Sequence, residues 1–123
     1  MEIPSKVKIG YQNYNVNIID GNLVDDNKVC YGNIDYDKSN INISDLYSED
    51  QKKCTFIHEC LHGIDDIMEI NLDEDQIRKL GKGLYQFIKD NPGIFNEKSE
   101  CNMEEIGKCV AEKMKEALIN IKS

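Results

Sequence analysis

The apolar period of this chain changes once, near Ser48, and that change limits the folds open to it more than any other feature. Before it, hydrophobic residues alternate with polar ones: Val7 and Ile9 with lysines, Tyr14, Val16 and Ile18 with asparagines, Ile41 and Ile43 around Asn42. Period two marks strands with one buried and one wet face. After it, Cys54, Ile57, Leu61, Ile64 and Met68 recur at the spacing of a helix with one apolar side. The expected fold is therefore α+β: a small antiparallel or mixed N-terminal sheet packed against helices. With 123 residues there is enough chain for one core and not for two. A single domain over 1–123 is expected, 1–47 mainly strands and 48–123 mainly helices.

Turn formers punctuate both halves. Asp20-Gly21-Asn22 and Asp25-Asp26-Asn27 precede a strand expected over residues 29–36, and Asp37-Lys38-Ser39-Asn40 makes a tight connection into Ile41-Asn42-Ile43. Ser48 is placed to cap the first helix, with Glu49 and Asp50 complementing its dipole. Asp73 and Gln76 match a capping box for a second helix through Ile77, Leu80, Leu84, Phe87 and Ile88, which Asn91-Pro92-Gly93 ends. Met103, Ile106, Val110, Met114, Leu118 and Ile121 predict a third, C-terminal amphipathic helix.

Charge and cysteine usage narrow the function classes. A net charge of −8 opposes the phosphate neutralisation on which sequence-independent nucleic-acid binding depends, so no such partner is expected. No apolar run approaches the ~18 residues of a membrane span, and Met1-Glu2-Ile3-Pro4-Ser5-Lys6 does not read as an export signal. Cys30, Cys54, Cys60, Cys101 and Cys109 are odd in number and lack zinc-ribbon spacing, which suits reduced thiols. A cytoplasmic location is expected.

Chemistry concentrates in His58-Glu59-Cys60-Leu61-His62, in the middle of the first helical segment. Residues four apart share a helix face, so His58 and His62, the only histidines in the chain, can offer two imidazole nitrogens to one metal ion. Glu59 projects to the side and can reach a water on the metal, the position of a general base. This arrangement predicts one zinc ion that polarises a scissile carbonyl, with Glu59 taking a proton from water and passing it to the leaving amine.

A catalytic zinc site needs a third protein ligand. Glu74 is the expected third ligand: it lies in the first turn of the second helix on a face shared with Ile77 and Gly81. Asp73 competes as the cap, and Asp75 is the nearest substitute. Asp65, seven residues after His58, suits a hydrogen bond to an imidazole N–H better than ligation. Cys54, four residues before His58, is a further conceivable ligand, whereas Cys60 should face the core.

The sequence resembles compact gluzincin-type zinc metallopeptidases, in particular short phage and prophage proteins of the ImmA/IrrE-like kind. The resemblance rests on Gly32-Asn33-Ile34-Asp35-Tyr36 and Ile41-Asn42-Ile43 before the motif, Thr55 through Asp65 at it, and Leu84 through Pro92 after it. It implies a zincin-like fold in which a small sheet lies beside the active-site helix and a glutamate-bearing helix, with zinc held by His58, His62 and Glu74. It also implies that a strand bordering the cleft pairs with an extended peptide, for which the candidate edge is Ile41 to Ile43. The segment after Glu74, Asp75-Gln76-Ile77-Arg78-Lys79, departs from the alanine-rich pattern usual in ImmA/IrrE-like proteins.

The leading expectation is a peptidase acting on a specific intracellular protein. The alternative is a catalytically silent, metal-stabilised protein-binding module of phage origin. An SprT-like, DNA-associated peptidase shares the motif but would carry a basic surface, which the acidic composition opposes.

Overall fold

The computed structural model describes residues 1–95. Met1–Asp90 forms one compact unit. The third helix expected over residues 102–121, with Cys101 and Cys109, lies outside the described residues. The Met1–Asp90 unit is α+β, with six strands followed by two helices: β1 (Lys6–Ile9), β2 (Gln12–Ile19), β3 (Leu23–Asp25), β4 (Lys28–Cys30), β5 (Gly32–Asp35), β6 (Asn40–Ser44), α1 (Glu49–Met68) and α2 (Glu74–Asp90).

Four strands form a mixed sheet in the order β1-β2-β6-β5, while β3 and β4 form a separate two-stranded hairpin. β1 pairs antiparallel with β2 and β5 antiparallel with β6, but β2 and β6 run parallel, with Val16 opposite Ile41 and Ile18 opposite Ile43. The parallel pair is possible because the hairpin and β5 carry the chain back before β6 begins, as a parallel connection requires. Alternation then sorts the side chains. Ile9, Tyr14, Val16, Ile41 and Ile43 meet Phe56 and Ile57 of α1 in the core, whereas Asn17, Asn42 and Asn33 link their amides in a row across three strands. Ile41 and Ile43 are fully buried, and each such side chain contributes roughly 1.5–3 kcal/mol relative to exposure.

Two expectations about strands are corrected. Residues 29–36 do not form one strand: Asp26 and Asn27 adopt positive φ (50° and 60°), the geometry of a tight two-residue hairpin turn, and β4 then ends at Cys30. Tyr31 separates β4 from β5 and sets its ring edge-on to Tyr47, with centroids 4.4 Å apart. Nor is Ile41–Ile43 an edge available to a peptide. β6 is paired on both sides, by β2 and β5, so its backbone donors and acceptors are already used. The sheet edge on the side of β6 is β5.

Both helices begin as the sequence dictates. Ser48 Oγ accepts a hydrogen bond from the Gln51 amide at 3.2 Å. Asp73 and Gln76 exchange reciprocal side-chain to backbone bonds of 2.8 and 2.9 Å, a complete capping box. α1 stops where Glu69 turns left-handed (φ 53°), and the Leu72 amide donates to Asp65 Oδ1 at 2.8 Å, bracing the short connection to α2. Tyr85 and Lys89 of α2 both reach Asp50 at the start of α1, fixing the far ends of the helix pair. No helix among the described residues is long and apolar enough to cross a membrane.

Candidate metal centre

His58 and His62 lie one turn apart on α1 with ring centroids 4.9 Å apart. Both direct Nε2 at the carboxylate of Glu74: His58 Nε2 is 2.8 Å from Oε1 and His62 Nε2 is 2.9 Å from Oε2. Glu74 reaches them because the capping box starts α2 at that residue, the Asp65 brace fixes the connection before it, and Gly81 keeps the two helices close. A Cβ at Gly81 would stand 3.5 Å from His58 Cα, so α2 passes the first histidine at backbone distance.

Glu59 occupies the sheet side of the same turn. It is 5% exposed, and its Oε2 is buried without a hydrogen-bond partner. The strand above it accommodates this only because residue 32 is glycine: a Cβ there would fall 2.6 Å from Thr55 Cγ2, 2.8 Å from the Asn42 carbonyl oxygen and 3.7 Å from Glu59 Cγ. Burial, reinforced by the charges of Glu74 and Asp25, pushes the Glu59 carboxyl up to about 8. Burial also lowers the proton affinity of His58, against the pull of Glu74. A histidine held toward neutrality is the form that binds metal.

The ligand atoms of His58, Glu59 and His62 all lie within 4.8 Å of one another, and this group could hold a metal ion. With the Glu74 carboxylate that both imidazoles face as the third donor, the set fits one. Two imidazoles and a carboxylate are a normal set for a catalytic zinc, whose tetrahedral bonds of about 2.0–2.1 Å put neighbouring ligand atoms roughly 3.3 Å apart. The observed contacts to Glu74 are hydrogen-bond lengths, shorter by about half an ångström. Small side-chain adjustments, with loss of the Nε2 protons, therefore exchange hydrogen bonds for coordination. A cation there would also favour the ionised form of the buried Glu59 carboxyl.

The other candidates are placed elsewhere. Asp75 pairs with Arg78 and Lys79. Asp65 accepts from the Leu72 amide and braces the connection, in place of the imidazole hydrogen bond expected for it. Cys54 is part-buried, and burial raises its thiol, the reverse of what a ready thiolate ligand needs. Cys60 packs against the core and is pushed up to about 12 by burial.

Three residues beside the centre were given no site role from the sequence. Asp25 is the hairpin residue whose charge Glu59 feels. Tyr36, just beyond β5, donates its hydroxyl to the His62 carbonyl at 3.2 Å. Gly32 makes the close approach of β5 possible; a glycine inside an apolar strand segment is the one signal that could have marked it. Comparison of the chain with protein-family models, with curated proteins and with solved structures returns no match, so interpretation of the centre rests on its own residues.

Proposed function

We propose that the chain is a zincin-like metallopeptidase of the gluzincin type, with one zinc ion held by His58, His62 and Glu74, and with Glu59 as general base. The observation that carries this reading is the buried, partnerless carboxyl oxygen of Glu59 beside the imidazole pair. A metal that only braced the fold would need no additional buried carboxylate, and burying one is costly. A base acting on water needs a carboxylate in that position, shielded from bulk solvent and without competing hydrogen bonds.

When bound, the ion would supply Lewis acidity toward a peptide carbonyl and toward water. Glu59, whose carboxyl is raised by burial to about 8, is placed to take a proton from water and later deliver it to the leaving nitrogen; a neighbouring cation would lower its pKa and favour the ionised form that this needs. Glu74 orients the imidazoles, and the Asp65 brace fixes the connection that leads into Glu74. The edge of β5, close to Glu59 across Gly32, supplies backbone donors and acceptors for an extended peptide. The substrate is proposed to be an intracellular protein segment in extended conformation.

Elemental analysis tests the centre. About one zinc per chain is expected, lost in His58→Ala, reduced most among the remaining candidates by Glu74→Ala, and unchanged in Cys54→Ala. Glu59→Gln should retain zinc while peptide cleavage, read on a fluorogenic peptide library, falls by ~10²-fold or more. A chain that takes up no zinc from zinc-containing buffer overturns the reading. Cleavage by Glu59→Gln at the wild-type rate removes the assigned base.

A further inference from the structure

Arg78 is the only arginine in the sequence, and it follows Glu74 by four residues on α2. Residues four apart share a helix face, so the guanidinium belongs to the stripe that brings Glu74 to the imidazoles. Gly81, three residues after Arg78, passes His58 with its Cβ position 3.5 Å from the His58 Cα, so this stretch of α2 lies against the centre. Lys82, one turn further on, continues the stripe. One flank of the centre is thus cationic, in a chain of net charge −8.

The present partner of Arg78 does not commit it. Asp75 stands three residues earlier on the same helix, and the two side chains are 51% and 55% exposed. Exposed pairs of this kind are worth about 1 kcal/mol or less. Asp75 also holds Lys79 Nζ at 2.9 Å, so it keeps a cation when the guanidinium turns away. Arg78 can therefore exchange Asp75 for another carboxylate at little cost, and its planar fork matches the two oxygens of such a group better than an ammonium does.

We infer that Arg78 is a specificity-determining residue, which holds a carboxylate of the bound peptide close to the bond to be cleaved. This inference rests on the peptidase reading. A peptide offers that carboxylate from two sources, a free C-terminus or an aspartate or glutamate side chain, and the same guanidinium recognises either.

The test uses the zinc-loaded protein and three probes that share a succinyl hydroxamate as metal-anchoring group: one joined to glycine with a free carboxylate, one to glycine amide, and one to glutamate amide. Calorimetric titration should show one or both carboxylate probes binding about tenfold more tightly than glycine amide. Tighter binding of the free-carboxylate probe identifies a C-terminus as the recognised group; tighter binding of the glutamate probe identifies a side chain. Arg78→Gln should abolish the preference while leaving zinc content and glycine amide affinity unchanged, and Arg78→Lys should keep part of it. Equal binding of all three probes by the wild type, or an undiminished preference in Arg78→Gln, overturns the inference. Failure of the wild type to hold zinc, or of the zinc-loaded protein to bind even the glycine amide probe, removes the peptidase reading and this inference with it.

Discussion

Replacing Glu59 by Gln should flatten the pH dependence of stability in the chelator-treated protein. The Glu59 carboxyl is 5% exposed, has one oxygen without a partner, and is raised by burial from 4.5 to about 8. The folded state therefore binds this proton more tightly than the unfolded state. Its contribution makes stability fall as pH rises through the window from about 4.5 to about 8, because the unfolded chain ionises freely there while the folded one does not. Applying the linkage relation between pH 5 and 8.5 gives a loss of about 4 kcal/mol for this one group, a large part of the 5–15 kcal/mol typical of a domain. Glutamine has the same shape and no charge, so Glu59→Gln should lack this loss. At pH 5, where Glu59 is largely protonated, the two proteins should differ by about 1 kcal/mol or less; at pH 8.5 the variant should be the more stable by roughly 3–4 kcal/mol. Urea denaturation followed by circular dichroism at the two pH values, with chelator present, measures this difference directly. Parallel pH profiles for wild type and variant would refute the reasoning, since the buried carboxyl would then carry no folding-linked proton. Saturating zinc should reduce the wild-type slope, because a cation stabilises the ionised carboxyl.

Further outcomes follow from the close contacts. Gly81→Ala should keep zinc and gain up to about 1 kcal/mol in denaturation, since its Cβ would sit at an ordinary 3.5 Å from His58 Cα and alanine favours the helix; Gly81→Leu should separate the helices and weaken zinc binding in a chelator competition. Gly32→Ala should cost about 1–3 kcal/mol, because the Asn42 carbonyl oxygen 2.8 Å from the new Cβ is backbone and cannot rotate away; Thr55→Ser in the same chain should restore only part of it. Asp65→Ala should cost about 1 kcal/mol by freeing the Leu72 amide and should lower zinc affinity far less than Glu74→Ala, whereas equal losses would make Asp65 a ligand.

Local patterns in the sequence carry most of what is local in the structure. The alternation in Tyr14, Val16 and Ile18 and in Ile41 and Ile43 names strands, and for Tyr14, Val16, Ile41 and Ile43 it also names the buried face; Ile18 is the exception, at 48% exposed. The spacing of Asp73 and Gln76 marks the start of α2, and thereby the turn in which Glu74 stands. The i, i+4 spacing of His58 and His62 suffices to bring the two rings together on one helix. The hairpin was legible only in part. Asp25-Asp26-Asn27 signals a turn, but Leu23 and Val24 are too few to show period two, and the break at Tyr31 depends on a ring contact with Tyr47, sixteen residues away.

What the sequence withheld is pairing between distant segments. The alternation Ile41-Asn42-Ile43 would look the same on a central strand as on an edge, because it records which side of a strand is buried and says nothing about how many neighbours it has. β6 became central only because the chain between it and β2 folds into the β3–β4 hairpin and β5, leaving β6 to fill the place beside β2. The consequence reaches the proposed chemistry. With β6 closed on both sides, the proposed peptide-binding edge moves to β5, where Gly32, whose missing side chain lets the strand approach α1, lies against Glu59. The absence of a side chain at residue 32 thus both permits the burial that raises Glu59 and sets an open strand edge close to it. The general base and the proposed peptide-binding edge therefore depend on the same close packing, and a substitution at Gly32 should disturb both together.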